Sequence, residues 1–497
     1  MWNLASMQLF HTTTDNPPHK REPNRWGLPN KAVRSLAKRL SSCWERFQPC
    51  FQTMTRNTSH YAFDYVSALL RMDTNRNFAQ IGRNTHQDPQ NIQHFMTNSP
   101  WSARAVLQQV QHEIANTPQL LVGSVLLLDE SGEEKASAHT VGCARQYNGR
   151  QGKVDMSQMG VFLAYANLDV NLWTWVDGQL YFPKEWFAPQ KQPLRDKLGV
   201  PKEQTFAKKW EIGLAMIRSL HTQGLPFDLV ACDAHYGQCN AFRAGLAQRG
   251  IGYCADIPAD TQVYGECPEF GSAPGKDKGC PGTPARVLDP SQARTVAQIA
   301  QDPNTVWQTL CVRPTERGYL QEPFACVRVW TLREGSPVQE WLILRQESSH
   351  KISYALANAS PDASLAQLAE QKCVRYFVER GNQDAKSELG FDEFCGQKYR
   401  AWEHHLALTV LASWFVAQTK LDFTQSYPRD GCLASEWEVD VLPALSTANV
   451  RELLRAVMPL PQLSEEEAAA LVVQHLVNRV QSRKSRLKHS QGESPPN

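Results

Sequence analysis

Two short stretches constrain the fold of this chain more than any other feature. From Leu120 to Leu128 the sequence is a nearly unbroken apolar run, and it stops at Asp129-Glu130-Ser131-Gly132. Phe227-Asp228-Leu229-Val230-Ala231-Cys232 ends in the same way, at Asp233. Apolar runs of this length without alternation suit strands covered on both faces, with the acid marking where each meets solvent. If the strands are neighbours, both carboxylates emerge at one sheet edge, the usual place for a site in α/β architecture. An Asp after a strand also caps turns, so the pair carries the functional reading and neither residue does so alone.

The elements around these runs follow a definite order. Residues 137–182 alternate apolar and polar through Val161-Phe162-Leu163-Ala164-Tyr165 and Leu172-Trp173-Thr174-Trp175-Val176, which predicts antiparallel strands. Residues 206–223 and Ala241–Arg249 read as helices, and Ile251–Ile257 as a further strand. Three antiparallel strands followed by strand–helix–strand–helix is the order of a ribonuclease H-like core, a statement about fold and not about function. The expected class is therefore α/β, with that core at 118–257 and 351–425. A β-rich insertion at 258–350 divides it, opening on a Gly/Pro-rich stretch (260–290) and continuing as strands around Ala325–Leu332 and Val338–Gln346. Residues 31–117 read as a helical, DNA-binding domain, in which Phe78–Arg83 and Pro89–Met96 have the spacing of a helix-turn-helix, although two short helices joined by a polar turn are more often plain bundle packing. C-terminal helices fill 426–480. The ends are a Pro-rich arm at 1–30, expected to be disordered, and a basic polar tail at 481–497.

Composition closes off other classes. The 497 residues are 42% apolar and 21% charged, ordinary for a globular protein. No stretch reaches the roughly 18 uncharged apolar residues of a membrane span, and the N-terminus lacks a basic-then-apolar signal, so a cytoplasmic protein with no membrane partner is expected. None of the thirteen cysteines forms a C-x-x-C pair, which favours reduced core thiols over zinc. Formal net charge is only +2, but residues 18–46 carry eight Lys/Arg against two Glu, and 479–489 carry Arg479, Arg483, Lys484, Arg486 and Lys488 with no acid. Two basic ends on an acidic body suit a polyanion, and equally suit two solvated ends.

Two hard cations held by carboxylates are what phosphodiester chemistry of the metal-assisted kind requires. A third acid would come from a helix beside the strand ends. The predicted helix 364–389 offers Glu379, with Arg375 about 40° and Lys386 about 20° away around the helix axis. Spacing alone allows a simple surface ion pair between Arg375 and Glu379. Glu130 points to the opposite face if its strand continues, so Asp129 is preferred. His235, beside Asp233, is a candidate for orienting a phosphate or water, or is merely a loop histidine. Trp307, Trp330 and Trp341 could wedge against an unstacked base or pack the insertion, and His404 and His405 are expected to pack in an apolar helix.

Arg375-x3-Glu379-x6-Lys386 resembles the R-x3-E-x6-K part of the signature of a class of bacterial insertion-sequence transposases of the DDE superfamily. The blocks Val125–Gly132, Val141–Gly149, Gln158–Val161, Asp228–Gly237, Glu388–Asp392 and Trp402–Leu408 are similar to that class in the same order, over roughly residues 60–420. The resemblance implies a catalytic triad of Asp129, Asp233 and Glu379 holding two Mg²⁺ (or Mn²⁺) ions, with Arg375 and Lys386 on DNA phosphates near the cleaved end. The signature's tyrosine, three residues before the arginine, is replaced here by Lys372, which can pair with phosphate but cannot stack on a base. The implied activity is cleavage at element ends and strand transfer into target DNA. The implied partners are double-stranded DNA (terminal inverted repeats and target) and a second copy of the chain, with the protein on the nucleoid when bound. A transposase-derived regulator that no longer cuts, and a ribonuclease H-like nuclease that never joins strands, are the alternatives.

Overall fold

A computed structural model describes residues 18–492, except 136, 150–151, 272–285, 316–317 and 334. Five helices come first: α1 (Asn30–Phe47), α2 (Ser59–Arg71), α3 (Phe78–Thr85), α4 (Pro89–Thr97) and α5 (Ala103–Ala115). Their termini are written in the sequence: Asn77, Asp88 and Ser102 each accept a backbone N–H of the first turn of α3, α4 and α5. His86, at φ 56°, turns the chain between α3 and α4, the two short helices expected over this stretch.

Next comes β1 (Ser124–Glu134), followed by β2 (Ala144–Asn148), β3 (Lys153–Asn167) and β4 (Leu172–Leu180). Then follow α6 (Lys209–Thr222), β5 (Leu229–Cys232), α7 (Asn240–Ala247) and β6 (Gly252–Ile257). β1 pairs antiparallel with β3 and parallel with β5, and β5 pairs parallel with β6. This mixed central sheet between helices is compatible with a ribonuclease H-like fold. The strand begins later than the apolar run and extends past Asp129, because β3 continues to pair with β1 as far as Glu134. Leu126, Leu127 and Leu128 are fully buried, as the run predicted.

After a short helix at Val296–Ala300 come four strands: β7 (Gln308–Thr315), β8 (Gly318–Arg333), β9 (Ser336–Ser348) and β10 (Lys351–Ala357). They prolong the central sheet: β10 pairs antiparallel with β6, giving one ten-stranded sheet in the order β7-β8-β9-β10-β6-β5-β1-β3-β2, with β4 on β3. Within the Gly/Pro-rich stretch, 272–285 lie outside the described residues. Trp307 packs against the insertion's own apolar core, Trp330 bridges to Tyr264, and Trp341 donates to the Ser360 carbonyl beneath the Arg328 guanidinium. All three have structural partners.

Helices return as α8 (Leu365–Cys373), α9 (Tyr376–Gln383), α10 (Tyr399–Ser426), α11 (Thr447–Val457) and α12 (Glu465–Gly492). α10 is buried along most of its length against α2, α5 and β4. As expected, His404 and His405 pack within it: His405 Nδ1 meets the Tyr65 hydroxyl at 3.0 Å, and burial lowers both imidazoles to about 3. Two expectations about the ends need correction. Residues 18–30, assigned to a disordered arm, are anchored: Arg25 pairs with Asp430 at 2.7 Å and with Glu436 at 2.5 Å, and Trp26 meets Trp437 edge to face. Residues 1–17 lie outside the described residues. The segment assigned to a basic tail continues α12 as helix to Gly492, since nothing in Val480–Gly492 breaks a helix before that glycine.

The insertion is tied to the core by one buried carboxylate. Glu340 of β9 is fully buried; it takes an ion pair from Arg333 at 2.8 Å and one from Arg243 of α7 at 3.4 Å, and accepts from Tyr253 of β6 and Thr331 of β8. Breaking such a pair leaves two buried guanidiniums uncompensated. Glu340→Ala is therefore expected to lower unfolding stability by about 3–5 kcal/mol, read by chemical denaturation. An unchanged midpoint would show that the network contributes little.

Candidate active site

The parallel register sets three aspartates in a row. Leu128 is level with Cys232, and Cys232 with Ala255, so the next residues, Asp129, Asp233 and Asp256, stand at one level on adjacent strands. Asp129 and Asp233 are thus brought together as the sequence predicted. Asp233 also caps the turn that follows, its Oδ1 accepting the backbone N–H groups of His235 at 3.0 Å and Tyr236 at 3.3 Å. The capping and functional readings of this residue are compatible. Asp129 Oδ1 accepts from the Glu130 N–H at 2.9 Å, and its Oδ2 accepts from Asn382 Nδ2 at 2.9 Å.

Charge at this edge is unbalanced. Burial pushes the Asp129 carboxyl up to about 7; the Arg375 guanidinium opposes the rise, while Asp233 and Glu130 add to it. The Asp233 carboxyl is raised for the same leading reason, burial, with Arg375 again opposing. The hydroxyl of fully buried Tyr236 has no hydrogen-bond partner among the described residues, and it feels the charges of Glu130, Asp129 and Asp233. Half-buried carboxylates short of positive charge, beside an orphaned hydroxyl, are a donor set that fits a hard, hydrated divalent cation.

The helix that carries the third acid is not continuous. Phe377 N–H bonds to the Val374 carbonyl and Val378 N–H to that of Arg375, a tightened turn between α8 and α9. After Gln383 the chain widens into a π turn over Asp384–Glu388. A constant 100° per residue fails across both, so the expected stripe of Arg375, Glu379 and Lys386 is broken up. Lys386 is buried and pairs with Glu133 of β1 at 2.6 Å, so the structure does not present it to phosphate. Lys372 is likewise buried, at 2.7 Å from Asp256. Arg375 keeps its place beside the acids: it lies 3.7 Å from Asp256 and within the field of Asp129, Asp233 and Glu379. Glu379 itself is exposed on α9, and among the described residues no three His, Cys, Asp or Glu side chains are grouped as a metal site. His235 is exposed next to Asp233.

Four residues here escaped the sequence reading. Asn382, three positions beyond Glu379, touches Asp129 directly. Asp256 neutralises Lys372, and its signal was available: it stands near the end of the third parallel strand, at the level of Asp129 and Asp233. Asp384 anchors the π turn, accepting from Trp173 Nε1 at 2.8 Å and from the Thr447 hydroxyl at 2.7 Å. Tyr236 gave no signal beyond its proximity to Asp233.

Because the folded state holds the Asp129 proton more tightly than the unfolded chain, this residue's contribution to stability falls as pH rises from about 4 to 7 and stays unfavourable above. Asp129→Asn removes that penalty while leaving an acceptor for Asn382. The metal-free variant is expected to exceed the parent in stability by about 1–3 kcal/mol above pH 7, with the gap closing towards pH 4, as followed by denaturant melts across pH.

A curated "Probable transposase for insertion sequence element IS701" from Microchaete diplosiphon is 29% identical over 179 residues, which is 35% of this chain and 42% of that relative's length. The matched region therefore spans less than half of the relative. The family model described as DDE superfamily endonuclease matches residues 46–318, which hold Asp129 and Asp233 and end before α9. That match covers more than half of the chain, and the chain belongs to the DDE superfamily of endonucleases.

Proposed function

We propose that the protein is a DNA transposase that cleaves at the ends of its element and transfers the freed strands into target DNA. The observation that carries this reading is the pair Asp129 and Asp233, adjacent on parallel strands and raised in pKa by burial, in a chain of this family. Asp129 and Asp233 would hold Mg²⁺ or Mn²⁺, and Glu379 would join them from α9 by side-chain rotation, since Asn382 of the same helix already reaches Asp129. Two such ions, when bound, supply an activated water or 3′-OH and stabilise the leaving oxygen.

The protein's own groups do the remaining work. Arg375, beside the acids but unable to neutralise Asp129 alone, offsets charge on an entering phosphate. Asn382 holds the Asp129 carboxylate in one orientation. The Asp256–Lys372 pair fixes the end of α8, and so the position from which Arg375 departs. Lys372 and Lys386 act in this reading through their acidic partners and not as phosphate contacts. The DNA substrate is the element's terminal inverted repeats and then the target, engaged by two copies of the chain. The first helices, α1–α5, read the ends, with the insertion alongside.

Asp129→Ala, Asp233→Ala and Glu379→Ala are each expected to reduce Mg²⁺-dependent cleavage of end-bearing DNA by at least about a thousandfold, with end binding retained. The assay incubates purified protein, metal and the flanking ends and resolves nicked, excised and joined products on a gel. Full cleavage by any one variant would remove that residue from the site. Binding without any cleavage by the parent would instead favour a regulator, and cleavage without joining a nuclease. Addition of Mg²⁺ or Mn²⁺ should raise the melting temperature of the parent and leave that of Asp129→Asn unmoved, a readout independent of DNA.

A further inference from the structure

α12 is the least covered long element of the structure. Over its 28 residues, about 42 Å at 1.5 Å per residue, it carries three acids in its first turn (Glu465, Glu466, Glu467) and basic residues beyond Asn478. Between them Val472, Val473, Leu476, Val477 and Val480 are 42–58% exposed. A row of valines and leucines left in water along a helix calls for an apolar partner. The spacing says which. Glu466, Val473 and Val480 recur every seven residues, as do Ala469, Leu476 and Arg483, and the two series interleave at alternating steps of three and four, the seam of a two-helix coiled coil.

We infer that α12 is a self-association surface through which two copies of this chain pair antiparallel, centred between Gln474 and His475. One register satisfies both the apolar and the charged residues. With Val473 of one copy level with Leu476 of the other, Ala469 falls level with Val480, Glu466 with Arg483, and Glu465 with Lys484. Two-fold symmetry makes each of these contacts occur twice, as an isologous interface requires. A parallel pair would oppose acid to acid and base to base, so charge selects the antiparallel arrangement. The surface supplies the dimer that the transposase reading needs, but it is argued from α12 alone and its test uses neither DNA nor metal, so either idea can fail without the other.

The experiment is sedimentation of the full chain over a concentration series, with circular dichroism to verify folding of each variant. The parent is expected to form a reversible dimer. Glu465→Arg/Glu466→Arg and Arg483→Glu/Lys484→Glu are each expected to weaken it at least about tenfold by placing like charges opposite one another. An equimolar mixture of those two variants is expected to regain association as a heterodimer. Val473→Asp/Leu476→Asp should leave a folded monomer. A parent that is monomeric up to about 100 μM, well above the Kd of a specific interface, would overturn the proposal. So would charge reversals without effect, or variants that fail to associate when mixed.

Discussion

Repulsion among carboxylates that the backbone forces together is the constraint around which the catalytic half of this protein is organised. Parallel pairing of β1, β5 and β6 sets their register, and that register delivers Asp129, Asp233 and Asp256 side by side at one level. Placing such groups in a partly buried setting is costly unless cations attend them. The chain provides two, from one short segment. Lys372 meets Asp256 directly, and Arg375 spreads its charge over all three aspartates. Lys372 is the direct partner of Asp256, whereas burial still lifts Asp129 to about 7. The deficit falls on the residues that follow the two most apolar runs, Asp129 and Asp233.

The irregularities of the α8–α9 segment follow from the same demand. A straight helix would carry Lys372, Arg375, Glu379 and Lys386 around its surface at a fixed pitch. The tightened turn at Val374–Arg375 and the π turn at Asp384–Glu388 instead direct Lys372 to Asp256, Asn382 to Asp129 and Lys386 to Glu133. Each contact joins the segment to a different point of the sheet, and Asp384 clamps the widened turn to Trp173 of β4 and Thr447 of α11. π turns cost helix geometry and occur often at functional sites. Here the widened turn lets a lysine reach a strand residue that a regular helix would not place beneath it.

The sheet was legible because its signal is local. Leu120–Leu128 and Leu229–Cys232 are apolar without alternation, and only burial on both faces explains that. The order of elements then placed Asp129 beside Asp233. The charged residues of the helix were legible as types but not as roles, since one helical pitch was assumed across two turns that depart from it. Lys372 and Lys386 looked like phosphate ligands because their acidic partners, Asp256 and Glu133, lie more than a hundred positions away in the chain. Asn382 was invisible for a similar reason: an uncharged amide on a helix carries no sequence mark of the carboxylate it meets. The ends misled through composition. Proline and charge in 18–30 read as disorder, yet Arg25 finds two carboxylates near the other end of the chain.

The long-range pairs share a pattern that bears on how the molecule could change state. Lys386–Glu133, Lys372–Asp256 and Glu340 with its two arginines are all buried, where replacing a partner is costly and the geometry is held. Glu379 is the exception, an exposed acid between Arg375 and Asn382 on a helix that is otherwise fastened at several points. In the proposed reading, Glu379 would approach a bound cation by rotation about its side-chain bonds, a motion fast relative to domain motion. The fixed pairs therefore do for the site what packing does for the core. In that reading they hold the segment in place, so that a cation would meet acids whose backbone positions the sheet and its buried pairs already set.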